Sequence, residues 1–252
     1  MRVSRLLDSV MYSWKTVLVT IGLLFGLKVW NPYLIENITW SWFDFLHQQH
    51  EIEKVEEIVL VDIDEKSLEK YGQYPWPRDI YADIMMESSY TNSHVFTQLF
   101  KEPDRFDGDA KFAEGLINRL TVLSAAPTIQ KDTGSAPIVR TSVFGGGEIK
   151  DHIWNFSGIA SPVEMLKQNT YGVGVTVATP SISGTPNFDG TIRSAPLIVS
   201  ANEQIYPSVA LEVLRVFGDH KNYQTRVTPE VGIEWIRMLS LIHISEPTRL
   251  AT

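Results

Sequence analysis

Two aspartates that follow an apolar run are the first residues whose types and spacing could do chemistry. Residues 55–63 predict a strand buried on both faces, and Asp62 and Asp64 stand at its end. Side chains two apart share one face of a strand, where one carboxylate could attack phosphorus and the other act as acid or base beside Mg²⁺. Alternatively, Asp64 caps a short helix and Asp62 pairs with an arginine. We favour this structural alternative, because the lysine and further acidic pair of such phosphatases cannot be located in the sequence.

An arginine that follows two prolines is the second candidate. Trp76 and Arg78 lie in the run Pro-Trp-Pro-Arg. Arg78 could hold the carboxylate or phosphate of a ligand through its paired N–H donors, with Trp76 lining the same pocket. Alternatively, Trp76 belongs to the core and Arg78 pairs with Asp62 or Asp64, which we consider the stronger interpretation.

Four more polar residues complete the candidate site. Tyr81 and Asp109 could face a cleft at the carboxyl ends of strands, where α/β sheets bind ligands. Arg193 admits the same two interpretations as Arg78, and Asp189 followed by glycine is by itself a turn signal. No catalytic residue, metal ligand or cofactor is predicted. The candidate ligand-binding residues are therefore Asp62, Asp64, Trp76, Arg78, Tyr81, Asp109, Asp189 and Arg193.

The composition argues against several classes of function. The 252 residues carry 22 Lys and Arg against 30 Asp and Glu, and a net charge of −8 argues against a nucleic-acid-binding protein. The absence of cysteine excludes disulfides, thiolate zinc sites, cysteine nucleophiles and iron–sulfur clusters. The histidines show no metal-ligand spacing on a predicted helix. A chain of this length can form one large domain or two small ones with a substantial core.

Alternating strand-like and helix-like segments have to position these side chains. The pattern predicts strands at 55–63, 95–100, 121–126 and 173–178, and a hairpin over 191–206. It predicts helices at 64–71, 77–89, 109–120 and 208–217. The glycine-rich residues 134–147 predict a loop or hairpin. Together these segments predict an α/β or α+β fold with a central, mostly parallel sheet and flanking helices.

The N-terminal residues have the character of a membrane anchor. Residues 16–33 are mostly apolar and are flanked by aromatic residues, as at a bilayer interface. Basic residues dominate before this stretch and acidic residues after it, which predicts a cytoplasmic N-terminus. No A-x-A-like cleavage site follows, so the anchor is expected to be retained. The predicted order is a cytoplasmic segment at 1–15, one transmembrane helix at 16–34 and an extracytoplasmic domain at 35–238.

The last residues differ in character from the domain before them. Residues 239–249 resemble the translation of a transposase sequencing adaptor. We therefore expect residues 239–252 to be adaptor read-through and not native protein, and exclude them from the fold. A gene interrupted in this way would have encoded further chain after Met238.

A series of short motifs carries a resemblance to a known family. The motifs are V-D-I-D-E-K-S at 61–67, P-W-P-R at 75–78, G-D at 108–109, G-x-G at 172–174, D-G-x-x-R-x-x-P-L at 189–197 and P-S-x-A at 207–210. Over residues 43–217 this series resembles the CHASE domain, type 2, an extracytoplasmic sensor domain of bacterial signalling proteins. The spaced pair P-W-P-R and D-G-x-x-R-x-x-P-L is its most specific part.

The resemblance implies a non-enzymatic sensor for an unknown extracytoplasmic ligand. Proteins of this family have an N-terminal anchor, further spans after the sensor, and a cytoplasmic nucleotide cyclase or protein kinase as output. The resemblance also implies that the protein is a homodimer. The location implied is the bacterial inner membrane, with the sensor domain in the periplasm. Two alternatives stay open. One is an anchored periplasmic phosphohydrolase that uses Asp62 and Asp64; the other is an anchored interaction module, which a cleft filled by apolar side chains would favour.

Overall fold

The structure, a computed structural model, describes residues 14–30, 32–50, 57–130, 141–177, 191–192 and 195–239. The chain divides into two units, Met1–Ile63 and Asp64–Thr252. Within the described ranges it forms seven α-helices and ten β-strands.

The first unit contains two consecutive helices. Helix α1 (Trp14–Trp30) consists mainly of apolar residues, and none of its side chains is buried. Helix α2 (Pro32–Gln48) begins after a single residue. Among the described residues, no helix combines the length and the apolar character needed to cross a membrane. The predicted N-terminal transmembrane helix is therefore not confirmed.

The predicted strand over 55–63 is wrong in the part that the structure describes. Residues 58–63 have irregular backbone and belong to no strand. Ile58, Val59 and Leu60 expose 73%, 78% and 90% of their surface. An apolar run can form a strand only where a neighbouring strand accepts its backbone hydrogen bonds. No ladder among the described residues includes this run.

The second unit is a mixed α/β domain, and the predicted class is confirmed at this level. Its helices are α3 (Glu65–Tyr71), α4 (Arg78–Glu87), α5 (Asp109–Leu116), α6 (Glu164–Asn169) and α7 (Val209–Phe217), with a 3-10 turn at Ile149–Asp151. Its strands are β1 (Ser93–Phe96), β2 (Leu120–Thr128), β3 (Thr141–Phe144), β4 (Asn155–Phe156), β5 (Gly158–Ala160), β6 (Gly172–Val175), β7 (Ile198–Ala201), β8 (Gln204–Pro207), β9 (Asn222–Thr228) and β10 (Gly232–Leu239).

The described residues form three small mixed sheets and not one central parallel sheet, so that prediction is wrong. Strand β2 is the hub of the first sheet: β1 and β6 pair with it in parallel, whereas β5 pairs antiparallel with its end. The second sheet has the order β10–β9–β3 and the third the order β4–β7–β8. Each of these combines one antiparallel and one parallel pair. The hairpins β7–β8 and β9–β10 pair their inner edges locally, and β4 and β3 pair with the outer edges of β7 and β9, so these strands have partners outside the sheet around β2.

An aromatic cluster joins α4, β1 and α5. Tyr81, Phe96, Phe100 and Phe112 are buried, and the ring centroids of every pair lie 5.2–6.1 Å apart. Most pairs meet edge to face, the arrangement that aromatic quadrupoles favour. The cluster holds α4 beside α5 and so places the first residues of the two helices close together.

Two glycines allow α7 to pack closely against β6. A Cβ at Gly172 would lie 2.5 Å from Oε1 of Glu212, and a Cβ at Gly174 would lie 2.4 Å from Cα of Val209. Glu212 is fully buried on α7. The G-x-G motif is therefore a requirement of helix–strand packing.

We expect Gly172→Ala and Gly174→Ala each to lower the free energy of unfolding of the full chain by about 1–3 kcal/mol, as overpacked cores do. The loss is expected to be larger at Gly174, because the added Cβ meets backbone atoms there. Gly146→Ala is the matched control, because a Cβ at this position meets nothing within 4 Å. We expect it to change stability by less than about 0.5 kcal/mol. Urea titration in detergent measures all three, and equal stability of the three variants would contradict the packing argument.

Candidate functional site

Arg78 and Asp109 form a buried ion pair between the first residues of α4 and α5. The Arg78 guanidinium contacts a carboxylate oxygen of Asp109 and donates a hydrogen bond to the carbonyl oxygen of Glu102. Only 8% of the Arg78 side chain and 17% of the Asp109 side chain are exposed. The guanidinium carbon also lies 5.3 Å from the centroid of the Phe100 ring. Two of the predicted site residues therefore meet, each as the partner of the other.

Asp104 completes this centre and was missed by sequence reasoning. Its Oδ2 accepts hydrogen bonds from the backbone N–H groups of Arg78 at 3.1 Å and Gly108 at 3.0 Å. The N–H of Asp104 in turn donates to Oδ2 of Asp109 at 2.9 Å. A Cβ at Gly108 would lie 2.7 Å from Oδ2 of Asp104, so the close approach requires glycine. No local motif indicates this role, because the residues that Asp104 holds are joined only by the tertiary fold.

The electrostatics of the centre follow from its burial. Removal from water lowers the pKa of Arg78 below its usual value, and the negative charge of Asp104 opposes this effect. An arginine nevertheless stays protonated in a protein. A buried cation of this kind has to keep an anionic partner, because an unpaired buried charge is strongly unfavourable.

Trp76 and Tyr81 lie near Arg78 in the chain but have structural partners of their own. Nε1 of Trp76 donates to the carbonyl oxygen of Gly72 at 2.7 Å, and the Trp76 ring is buried 5.3 Å from that of Tyr71. Trp76 is thus a core residue, as the structural alternative holds. Tyr81 belongs to the aromatic cluster, and burial together with the charge and hydrogen bond of Tyr74 raises the pKa of Tyr81 to about 12. Its hydroxyl therefore stays neutral at physiological pH.

The two aspartates near residue 63 have local partners. Oδ1 of Asp64 accepts hydrogen bonds from the backbone N–H of Ser67 at 2.9 Å and from its hydroxyl at 2.7 Å, which lower the pKa of Asp64. Asp64 is therefore the N-cap of α3, as predicted. Asp62 accepts the N–H of Ile63 at 2.8 Å. The predicted pairing of Arg78 with Asp62 or Asp64 is wrong, because Arg78 pairs with Asp109.

The last two predicted site residues, Asp189 and Arg193, lie outside the described residues.

A second buried charge network, also missed from the sequence, lies on α7. Nη2 and Nε of Arg215 donate to the two carboxylate oxygens of Glu212 at 2.6 and 2.9 Å. The hydroxyl of Tyr223 on β9 contacts the same carboxylate at 2.8 Å. Burial and the Glu212 charge raise the pKa of Tyr223, so the phenol remains a donor. All three groups satisfy one another, which gives this network a structural role.

The chemistry available at the Arg78 centre is recognition of an anion. Its groups are one guanidinium, two carboxylates and backbone N–H donors. No two of them form a pair of nucleophile and general base. Among the described residues, no group of three or more His, Asp or Glu could hold a metal ion. The centre is therefore a charge pair in which an external anion could replace Asp109 as the partner of Arg78.

The comparison with protein families decides the family of the chain. A family model of the CHASE2 domain matches residues 16–250. The chain belongs to the CHASE2 family. Searches among curated proteins and among solved structures find no significant match. This match confirms the resemblance seen in the sequence motifs. CHASE2 domains are extracytoplasmic sensor domains and not catalytic domains.

We expect Asp109→Asn to destabilise this CHASE2 protein by about 3 kcal/mol, the lower end for breaking a buried ion pair. The lower end applies because Asp104 still supplies a negative charge near Arg78. Asp83→Asn is the matched control: it removes an exposed pair with Lys111 at 2.9 Å and should leave the urea midpoint nearly unchanged, because water screens this pair. The double variant Arg78→Met/Asp109→Leu should recover part of the loss, because it removes the buried guanidinium, but the Asp104 N–H then loses its acceptor on Asp109. Urea titration is the measurement, and equal effects of Asp109→Asn and Asp83→Asn would refute the argument.

Proposed function

We propose that this chain is the ligand-input part of a bacterial transmembrane receptor. In this proposal a single N-terminal span anchors it in the inner membrane, with the N-terminus in the cytoplasm and the CHASE2 domain in the periplasm. The receptor acts as a homodimer and passes its signal to a cytoplasmic nucleotide cyclase or protein kinase. The observation that carries the proposal is the CHASE2 match over residues 16–250.

The character of α1 supports the proposed anchor. Its side chains are mostly apolar and none is buried, so the apolar part of the helix is best accommodated by apolar surroundings outside the chain. The ammonium of Lys15 lies 5.9 Å from the Trp14 ring at one end, and Lys28 and Trp30 stand at the other. Lysine and tryptophan at both ends suit the two headgroup regions of a bilayer.

The Arg78 centre supports a mechanism for the sensor. A ligand carboxylate or phosphate can take the place of Asp109 as the partner of Arg78, since both offer paired oxygens to the guanidinium. Loss of the Asp109 contact would release the first turn of α5 from that of α4. A ligand that binds the released arrangement more tightly shifts the population towards it, which is the signal.

A second candidate, an anchored interaction module, is favoured by one observation. Beneath Arg78 the space between α4 and α5 is filled by Tyr81, Phe96, Phe100 and Phe112. A filled space leaves less room for a small ligand. By contrast, no observation on the described residues favours the phosphohydrolase, because Asp64 caps α3 and Asp62 binds its neighbour's backbone.

Small anions distinguish the sensor from the interaction module. We expect inorganic phosphate and citrate to raise the melting temperature of the full chain in detergent, relative to chloride of equal ionic strength. Asp109→Asn should bind these probes roughly tenfold more tightly, a gain of about 1.4 kcal/mol, because the internal competitor is weakened. Arg78→Lys should lose the shift, since it removes the paired donors. The matched control Arg226→Lys alters an exposed pair with Glu234, and this variant should keep the shift in melting temperature. No shift in either the native protein or Asp109→Asn would favour the interaction module.

The proposed output is tested at the gene. We expect genomic DNA sequenced past the codon for Met238 to continue in frame into further apolar stretches and a cyclase or kinase domain. The reason is that residues 239–249 resemble adaptor sequence. Amplification from an independent DNA preparation without adaptor ligation is the control. A stop codon close to Met238 in such DNA would contradict the receptor.

A further inference from the structure

We propose that α2 lies in the headgroup region of the bilayer, with its aromatic face turned into the lipid and its polar face turned to water. This inference rests on the proposed anchoring of α1 and adds a second lipid contact to it. The occupant of the aromatic face is a zwitterionic phospholipid surface.

The position of α2 in the chain sets the depth of its first turn. Helix α1 ends at Trp30 and α2 begins at Pro32. A helix that starts so close to the end of an apolar helix starts at the same boundary between lipid and water. Residues with an apolar body and a polar edge are favoured at this boundary, tryptophan above all.

The exposed side chains of α2 are divided between two faces. The exposed apolar side chains are Ile38, Trp42, Phe43, Phe45 and Leu46. At 100° per residue they cover an arc of about 160°. The polar residues Asn37, Ser41, Asp44 and Gln48 fall within an arc of about 60° on the other side. Thr39 lies within the apolar arc, and Trp40 and His47 lie between the two arcs. The helix is therefore amphipathic, and its apolar face is the wider one.

The width and the residue types of this face favour lipid over a second copy of the chain. A two-helix seam uses a narrow stripe of Leu, Ile or Val at heptad spacing. On α2 the stripe is wider and aromatic: the rings of Trp42 and Phe45 stack at 5.5 Å, and those of Trp40 and Phe43 meet edge to face at 5.9 Å. A second helix would leave part of this surface in water, whereas a bilayer covers all of it.

The charge of α2 selects the kind of lipid. The described residues of this helix include the acidic residues Glu36 and Asp44 and no Lys or Arg. Interfacial helices that bind anionic lipids carry basic residues on the polar face. We therefore expect binding to depend on apolar burial, to occur on phosphatidylcholine, and to change little with salt.

Site-directed spin labelling tests this arrangement, because the chain has no cysteine and each introduced cysteine is unique. Ile38→Cys and Leu46→Cys sample the apolar face, and Ser41→Cys and Gln48→Cys sample the polar face as matched controls. Leu23→Cys in α1 reports on the anchor. The full chain is reconstituted in phosphatidylcholine vesicles. Accessibility of each nitroxide to oxygen and to a water-soluble nickel complex is then measured.

We expect oxygen to relax labels at 38 and 46 more strongly than the nickel complex does, and the reverse at 41 and 48. Label 23 should show the deepest lipid exposure. If label 23 lies in lipid while 38 and 46 contact water, the inference about α2 fails and the anchor stands. If label 23 contacts water, the anchor fails and the inference fails with it. Dipolar broadening at label 46 that disappears on dilution with unlabelled protein would identify a second copy as the occupant and overturn the proposal.

Discussion

The need to keep one buried guanidinium paired governs the part of the domain where α4 and α5 begin. Arg78 has Asp109 as its ionic partner, the Glu102 carbonyl as acceptor and the Phe100 ring beneath it. Asp104 then ties the backbone of Arg78 to that of Gly108. These contacts make the beginnings of both helices one electrostatic unit, with two carboxylates at the positive ends of two helix dipoles. The aromatic cluster below keeps water out and so strengthens the pairing.

The same constraint appears elsewhere in the domain in a different form. There the buried carboxylate of Glu212 is paired within its own helix by Arg215 and receives the Tyr223 hydroxyl from β9. Gly172 provides the space that this carboxylate occupies. The two networks differ in their reach along the chain. The first joins two separate helices, α4 and α5, whereas the second is centred on α7 and holds this helix to β9.

The parts of the fold that depend on local signals could be predicted from the sequence. Three such signals depend only on residues a few positions apart. They are Asp64 as a helix cap, Gly72 as the end of that helix, and the helix that follows Pro77. The partner of Arg78 could not be predicted, because the nearer Asp62 and Asp64 are equally good partners until the fold brings Asp109 to the same place. The apolar run before Asp62 indicated a strand but carried no information about a neighbouring strand. The strand β9 was missed although its buried positions, Tyr223, Thr225 and Val227, alternate with less buried ones and are of types that favour strands.

The exposure of residues 58–61 suggests a role for Asp62 that differs from the catalytic role first considered for it. Ile-Val-Leu-Val is an uninterrupted aliphatic segment with high β-propensity and without proline or glycine, and it is exposed throughout. Segments of this composition stack into intermolecular cross-β assemblies when they are left uncovered. Glu57 stands before the segment and Asp62 directly after it. Stacking identical chains in register would bring these carboxylates together in repelling rows, an arrangement that opposes self-association.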